Sequence, residues 1–131
     1  TPEAEREILS KGTPEMLVGS IAFDIPGGGH VLDGCYADTA EIGFRLSGNH
    51  TVLSKCGFFN NPRMGLRKST AIVHEKGRLT VDSCKFDGST GTERLYKGTG
   101  ECLLWHLNVA YGGRDMATEA RTLESSAKGC K

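Results

Sequence analysis

A six-residue pattern of apolar and polar positions returns four times in the middle of the chain. Each copy has apolar or cysteine residues at its first, fourth and sixth positions and mostly polar residues between them. Self-similarity at a period of 20 to 30 residues predicts a repeat architecture, in which each unit buries its apolar face only against its neighbours. The copies start 21, 28 and 23 residues apart, at Leu32, Leu53, Val81 and Leu104.

The segments that precede these copies alternate between apolar and polar residues, as half-buried β-strands do. Glycine-bearing turns follow them, and the two adjacent polar positions inside each copy predict a sharp bend between two short strands. The order strand, turn, strand, bend, strand, loop would wind the chain into a coil whose equivalent strands stack in parallel sheets. The alternating segments occupy 21–25, 42–46, 71–74 and 94–96.

Two stretches of the chain, 50–60 and 78–88, resemble rungs of right-handed parallel β-helices. That group includes pectate-lyase-like polysaccharide enzymes, bacteriophage tailspikes and appendages, and carbohydrate-binding repeat proteins. The resemblance covers residues 21–111 and implies an all-β fold, a short right-handed parallel β-helix of about four rungs. So few rungs imply either a piece of a longer fibre or a unit that completes its core as an oligomer, commonly a trimer among phage members.

Both ends of the chain depart from this pattern. Thr1 can cap a helix and Pro2 suits its first turn, so a short helix is expected to cover the open N-terminal end of the stack. Beyond the last copy, apolar residues at helical spacing predict a weak helix followed by a tail. The expected units are an N-terminal helical cap, the parallel β-helix and this C-terminal segment, at residues 1–15, 16–113 and 114–131.

The charge balance and the hydropathy of the chain limit the kinds of partner that are expected. Sixteen basic and sixteen acidic residues cancel, so no overall field favours nucleic acid. No apolar run approaches the roughly 20 residues that span a bilayer, so membrane insertion is not expected.

Three of the five cysteines, Cys35, Cys56 and Cys84, occupy the fourth position of successive copies. Stacked rungs would place them one above another, so the sequence predicts a ladder of small buried thiols. The odd cysteine count and this ladder favour folding in a reducing cytoplasm.

The loops that follow each copy would share one corner of the coil and form a surface strip. Carboxylates there could bind the hydroxyl groups of a sugar polymer, and an aromatic ring could stack on a sugar. Trp105 is expected on an outward position, as a sugar platform or a subunit contact. The candidate glycan-binding residues are Asp38, Glu41, Arg63, Arg67, Asp87, Glu93, Arg94, Trp105 and Tyr111.

The resemblance and this strip predict a tailspike-like or appendage-like module that recognises a cell-surface polysaccharide as a homotrimer on a virion. One alternative is a polysaccharide lyase or glycoside hydrolase of pectate-lyase-like fold, with Ca²⁺ as the only cofactor expected, and only for a lyase. No catalytic residue is assigned, because no carboxylate cluster matches the calcium-binding set of pectate lyases. The other alternative is an intracellular scaffold that binds a protein partner, and a secreted or cytoplasmic location accompanies these alternatives.

Overall fold

The computed structural model describes residues 1–10, 15–61, 64, 66, 68–87, 92–98, 102–111 and 118–123. A helix, α1, spans Pro2–Ser10, and a 3₁₀ turn spans Glu15–Leu17. A second short helix, α2, spans 118–123. Between them the strands are β1 (Ile21–Gly27), β2 (His30–Asp33), β3 (Tyr36–Asp38), β4 (Ile42–Gly48), β5 (His50–Ser54), β6 (Gly57–Phe59), β7 (Ser69–His74), β8 (Arg78–Asp82), β9 (Lys85–Asp87), β10 (Thr92–Gly98), β11 (Cys102–His106) and β12 (Val109–Tyr111).

These strands form three four-stranded sheets in which every pairing is parallel. Sheet A has the order β1-β4-β7-β10, sheet B has β2-β5-β8-β11, and sheet C has β3-β6-β9-β12. Each strand therefore pairs only with the equivalent strands of the turns before and after it, and the chain winds a β-solenoid of about three turns. The predicted parallel β-helix is confirmed, while its right-handed sense stays a prediction that follows from the general rule for parallel crossovers.

The bend between sheets B and C is made by one residue per rung in the left-handed conformation. Gly34 has a φ of 71°, and the equivalent residues Lys55, Ser83 and Leu107 have φ values of 53°, 56° and 55°. Backbone hydrogen bonds hold each bend to the next rung, as from Lys55 N to Asp82 O at 3.0 Å. The predicted sharp bend is therefore confirmed, although three of its four residues are not glycine.

The register of the fourth copy differs from the prediction by one residue. Val81 is paired with Trp105, not with Leu104, and in sheet A Ile72 is paired with Tyr96. The fourth copy therefore starts at Trp105. The apolar Leu107 was taken for the fourth position of the pattern, whereas it occupies the bend.

This shift reverses the prediction for Trp105. The expected outward position is wrong, because the Trp105 side chain is 3% exposed and stacks on Phe86 with ring centroids 5.2 Å apart. Phe23 and Phe44 stack in the same way in sheet A at 5.0 Å. Phe23 and Phe44 are equivalent residues of one apolar column, whereas Phe86 belongs to sheet C and Trp105 to sheet B. Trp105 continues the inward column of Leu32, Leu53 and Val81, and its ring meets Phe86 inside the coil.

The predicted thiol ladder is present, since Cys35, Cys56 and Cys84 are free, with the last two buried. Cys56 Sγ donates to Leu32 O at 3.3 Å, and Cys84 Sγ donates to Leu53 O at 3.5 Å. The neighbouring Cys56 thiol, followed by burial, raises the pKa of Cys84.

The fourth rung carries an amide at the position of the thiols. Asn108 Nδ2 donates to Val81 O at 2.9 Å, which is the equivalent contact one rung further on, and its Oδ1 accepts from Cys84 N at 2.8 Å. Cys102 lies outside this column and is disulfide-bonded.

The C-terminal end of sheet A is covered by α2. The Glu119 carboxylate accepts hydrogen bonds from Leu95 N at 2.8 Å and from Tyr96 N at 3.1 Å, so it satisfies two donors of the last strand. Leu123 of the same helix is 9% exposed and packs on the core. The described side chains of α1 are exposed, and its role as the N-terminal cap stays a prediction. Within the described residues, no helix has the length and apolar character needed to cross a membrane.

The left-handed bend predicts the effect of replacing Leu107 by glycine. Leu107→Gly should raise the free energy of unfolding by about 0.5–1 kcal/mol, because the left-handed conformation costs a non-glycine residue about 1–2 kcal/mol and the added flexibility of the unfolded chain offsets part of the gain. Urea denaturation measures this change. The matched control, Leu104→Gly in β11, should lower the stability, and a destabilised Leu107→Gly variant would contradict the argument.

Candidate functional site

The outer face of sheet A carries charged residues in register. Asp24, Arg45, Val73 and Lys97 are equivalent positions of its four strands. Arg45 binds both carboxylate oxygens of Asp24, at 3.1 and 2.7 Å, and lies 3.5 Å from Glu75. These contacts keep the pKa of Asp24 below its usual value, with the hydrogen bond from Arg45 as the main cause.

An open cavity of about 630 Å³ lies on the C-terminal half of this face. We call it the sheet A cavity. The strands β4, β7 and β10 form its floor, and the corner between sheets C and A forms one side. Its lining residues are Glu41, Ile42, Lys68, Ser69, Thr70, Val73, His74, Glu75, Arg94, Lys97 and Gly98.

Four charged side chains in this lining are available to a ligand. Within the described part of the chain, Glu41, Lys68, Arg94 and Lys97 form no ion pair, whereas Glu75 is held by Arg45. Three cations and one carboxylate of this kind can donate to and accept from a polar ligand. Because the cavity is open and these four charged side chains line it, it suits a hydroxyl-rich or charged ligand better than a purely apolar one.

The wall of the cavity towards sheet B is fixed by a buried histidine. His74 is 1% exposed; its Nε2 donates to Gly77 O at 2.8 Å, and its Nδ1 accepts from the Tyr96 hydroxyl at 2.7 Å. Burial lowers the pKa of His74 below its ordinary value of 6.5, so the neutral ring is favoured. This histidine therefore supports the corner between the two sheets and does not act as a charged ligand group.

The structure brings together some of the predicted site residues. Glu41 and Arg94 line the sheet A cavity. Asp38 is exposed at the end of β3 and Asp87 is half-buried at the end of β9, so both lie along the edge of sheet C, outside the cavity lining. Trp105 is in the core.

The remaining predicted residues cannot be placed in the same way. Arg63 and Arg67 lie outside the described residues. Glu93 and Tyr111 belong to the described strands β10 and β12, but their side chains lie outside the description.

Lys97 and Glu75 were missed by the sequence argument. The one-residue error in the fourth copy hid Lys97, because only the observed register places it opposite Val73 on the outer face. Glu75 follows directly after β7, in a turn that was interpreted for its glycine alone.

A second concave surface, of about 400 Å³, follows the bend between sheets B and C. We call it the bend groove. Tyr36, Lys55 and Lys85 are its exposed side chains, and Tyr36 is 58% exposed. Its full lining is Gly34, Cys35, Tyr36, Lys55, Cys56, Gly57, Phe58, Ser83 and Lys85.

No group of three or more histidine, cysteine, aspartate or glutamate side chains with the geometry of a metal site occurs among the residues that the structure describes. The Ca²⁺ of the lyase alternative therefore has no identified ligands in that part of the chain and stays a prediction.

Comparison with protein-family models, curated proteins and solved structures found no match to this chain. The fold defines the class of protein, a parallel β-solenoid of about three turns. The particular family within this class stays a prediction.

The buried His74 predicts a loss of stability in mild acid. Because its pKa is lower in the folded state than the ordinary 6.5, the unfolded chain binds the proton more tightly. The stabilisation is therefore complete above pH 6.5 and is lost as the pH falls through this value towards the folded-state pKa, with a limiting slope of about 1.4 kcal/mol per pH unit.

Urea denaturation between about pH 7.5 and 5 measures this slope. His74→Gln should be less stable at neutral pH but should show a flatter dependence on pH. The matched control, exposed His50→Gln, should retain the wild-type slope. Equal slopes in wild type and His74→Gln would contradict the assignment.

Proposed function

We propose that this chain is a polysaccharide-binding module, of the kind found on tailspikes and appendages, and that the polymer binds along the sheet A cavity. The observation that carries the proposal is the convergence of Glu41, Lys68, Arg94 and Lys97 on one open surface of about 630 Å³. None of these side chains has an ion-pair partner in the described part of the chain.

The spacing of the rungs favours a polymer as the ligand. Equivalent residues of neighbouring strands lie about 4.8 Å apart, so a chain of sugars that runs along the coil meets side chains at regular intervals. Arg94 and Lys97 can donate to hydroxyl or carboxylate oxygens, and Glu41 can accept from hydroxyl groups. A longer array of rungs would extend the same surface.

Binding without cleavage is the form of this proposal that the cavity supports. Glycoside hydrolysis requires two carboxyl groups about 5–9 Å apart that flank the bond. Of the two described carboxylates in the cavity, Glu75 is committed to Arg45, so Glu41 is the one available to a substrate.

Affinity electrophoresis against a panel of bacterial and plant polysaccharides tests the proposal. At least one polymer should retard the wild-type protein, and Arg94→Ala with Lys97→Ala should weaken retention about fivefold to thirtyfold, because each lost contact contributes about 0.5–1 kcal/mol at an exposed site. Lys76→Ala, an exposed lysine outside the cavity lining, is the matched control and should leave retention unchanged.

The polymer should keep its length during the same incubation. A shortened polymer would show cleavage, and would therefore support a hydrolase or lyase in place of the adhesive function. No retention by any polysaccharide, or equal retention of the double variant and the control, would contradict the proposal.

A homotrimer on a virion surface is part of this proposal. Its support is a row of outward positions on sheet B that are mostly apolar, with Val31 and Leu104 71% and 43% exposed at its ends. In register, the row is Val31, Val52, Thr80 and Leu104. The odd cysteine count suggested a reducing cytoplasm, whereas the disulfide at Cys102 is more typical of an oxidising compartment. The proposal therefore includes a secreted form of the protein.

Light scattering tests the trimer. The wild-type protein should have three times the mass of one chain, and Val31→Lys should shift it towards the monomer, because a charge would be buried in the contact. The control Arg78→Lys, which keeps an exposed charge on β8, should remain trimeric. A monomeric wild type at all concentrations would contradict this part of the proposal.

A further inference from the structure

We propose that the bend groove is a second binding site, on a different face from the sheet A cavity, and that it takes an acidic sugar: a pyranose ring that carries a carboxylate. The groove has about 400 Å³ of space, and its exposed side chains are one aromatic ring and two amines, Tyr36, Lys55 and Lys85. This site does not rest on the function proposed for sheet A, because it shares no lining residue with that cavity.

A glycine in the next rung makes room for the Tyr36 ring. Tyr36, Gly57 and Lys85 are equivalent residues of β3, β6 and β9 and form one column. A Cβ atom on Gly57 would lie 2.5 Å from the Tyr36 Cδ2 atom, a distance that no real side chain tolerates. The ring therefore lies over the backbone of the second rung, and it is nevertheless 58% exposed. Such a ring offers a flat apolar surface against which the C–H face of a sugar can pack.

Lys55 is the residue that forms the bend in the second rung. Its φ of 53° places it in the left-handed conformation, and its backbone N–H is already used by Asp82 O at 3.0 Å. The bend is therefore held by the backbone and leaves the exposed amine free to bind. Lys85 follows one rung later, so two exposed lysines line the groove together with Tyr36.

The electrostatics of the groove favour an anion. Within the described residues, Lys55 and Lys85 form no ion pair, and no carboxylate belongs to the groove lining. Asp82 is occupied by His106 at 3.2 Å and by the Ser83 hydroxyl at 3.2 Å. Asp33 is close enough to raise the pKa of Cys35 in the groove, although burial of that thiol is the larger cause.

An acidic sugar fits this arrangement better than a nucleic acid. Nucleic-acid backbones are held by an extended track of cations, whereas this chain has no net charge and the groove presents two lysines. One carboxylate can be bound by two amines while its ring packs on Tyr36, which uses all three exposed side chains at once.

Titration calorimetry at low salt with trigalacturonic acid as the probe tests the site. The wild-type protein should bind the trimer and should fail to bind its methyl ester, which has the same rings without the charge. Lys55→Asn with Lys85→Gln should weaken binding roughly tenfold, since each exposed pair contributes modestly; asparagine is chosen because it tolerates the left-handed bend. Asp33→Asn should tighten binding, because it removes a carboxylate whose charge acts on Cys35 in the groove lining.

A second pair of variants separates the ring from the charge. Tyr36→Leu should weaken binding of trigalacturonic acid and should leave binding of inorganic sulfate unchanged. Lys76→Gln, an exposed lysine outside the linings of both surfaces, is the matched control and should bind trigalacturonic acid as the wild type does.

Three outcomes would overturn the proposal. The first is equal affinity for the acid and its methyl ester, the second is unchanged affinity in the double lysine variant, and the third is tighter binding of a thymidine oligonucleotide than of the sugar. The proposal for the sheet A cavity is tested by polysaccharide retention in the Arg94 and Lys97 variants, whereas this proposal is tested by calorimetry on the bend-groove variants. Either proposal can therefore be contradicted while the other stands.

Discussion

Hydrogen bonding between equivalent strands of successive turns is the constraint on which the rest of this structure depends. Every sheet is parallel, so each strand finds its backbone partners one rung away and never within its own rung. Unpaired edges therefore exist only at the two ends of the coil, where exposed N–H and C=O groups are costly or invite pairing with another chain. At the C-terminal end of sheet A, the Glu119 carboxylate takes the place of a further strand and accepts two of these N–H groups.

Because the rungs stack, equivalent residues have the same surroundings and must meet the same requirements of size and hydrogen bonding. At the fourth position of the pattern, the side chain must be small and must donate to a carbonyl of the preceding rung. The thiols of Cys56 and Cys84 do this weakly, and the amide of Asn108 does it at 2.9 Å while it also accepts a backbone N–H. The column is therefore defined by geometry and hydrogen bonding, and the chemical type of residue can change along it.

Much of the fold could be predicted from the sequence, because a repeated period reports repeated packing. The sheets, the bends and the thiol ladder follow from that period. The error in the fourth copy arose because an apolar residue occupies an exposed backbone position. Leu107 is apolar but lies in the exposed left-handed bend. Trp105, which was predicted to face outward, is buried in the core. A hydrophobic pattern cannot distinguish these two uses of an apolar residue.

The candidate sites were harder to predict, since they depend on register across rungs. Glu41 and Arg94 could be identified because both flank the predicted corner, whereas Lys97 enters the cavity only through the exact pairing of β10 with β7. The bend groove was missed altogether, because it depends on a contact between two rungs. The Tyr36 ring has room to lie where it does because its neighbour in the next rung, Gly57, has no side chain. Neither residue is unusual in its own stretch of sequence.

The separation of core and surface in this coil explains how two different candidate binding surfaces can coexist on so small a scaffold. Inward columns carry the packing, so outward residues of the same strands are free to differ from rung to rung. On sheet A, part of the charge is neutralised internally, since Arg45 holds both Asp24 and Glu75, and the remaining groups have mixed sign. The bend groove has amines of one sign beside a ring. The first surface therefore offers a carboxylate acceptor beside its cations, whereas the second offers amines and an aromatic ring without a carboxylate.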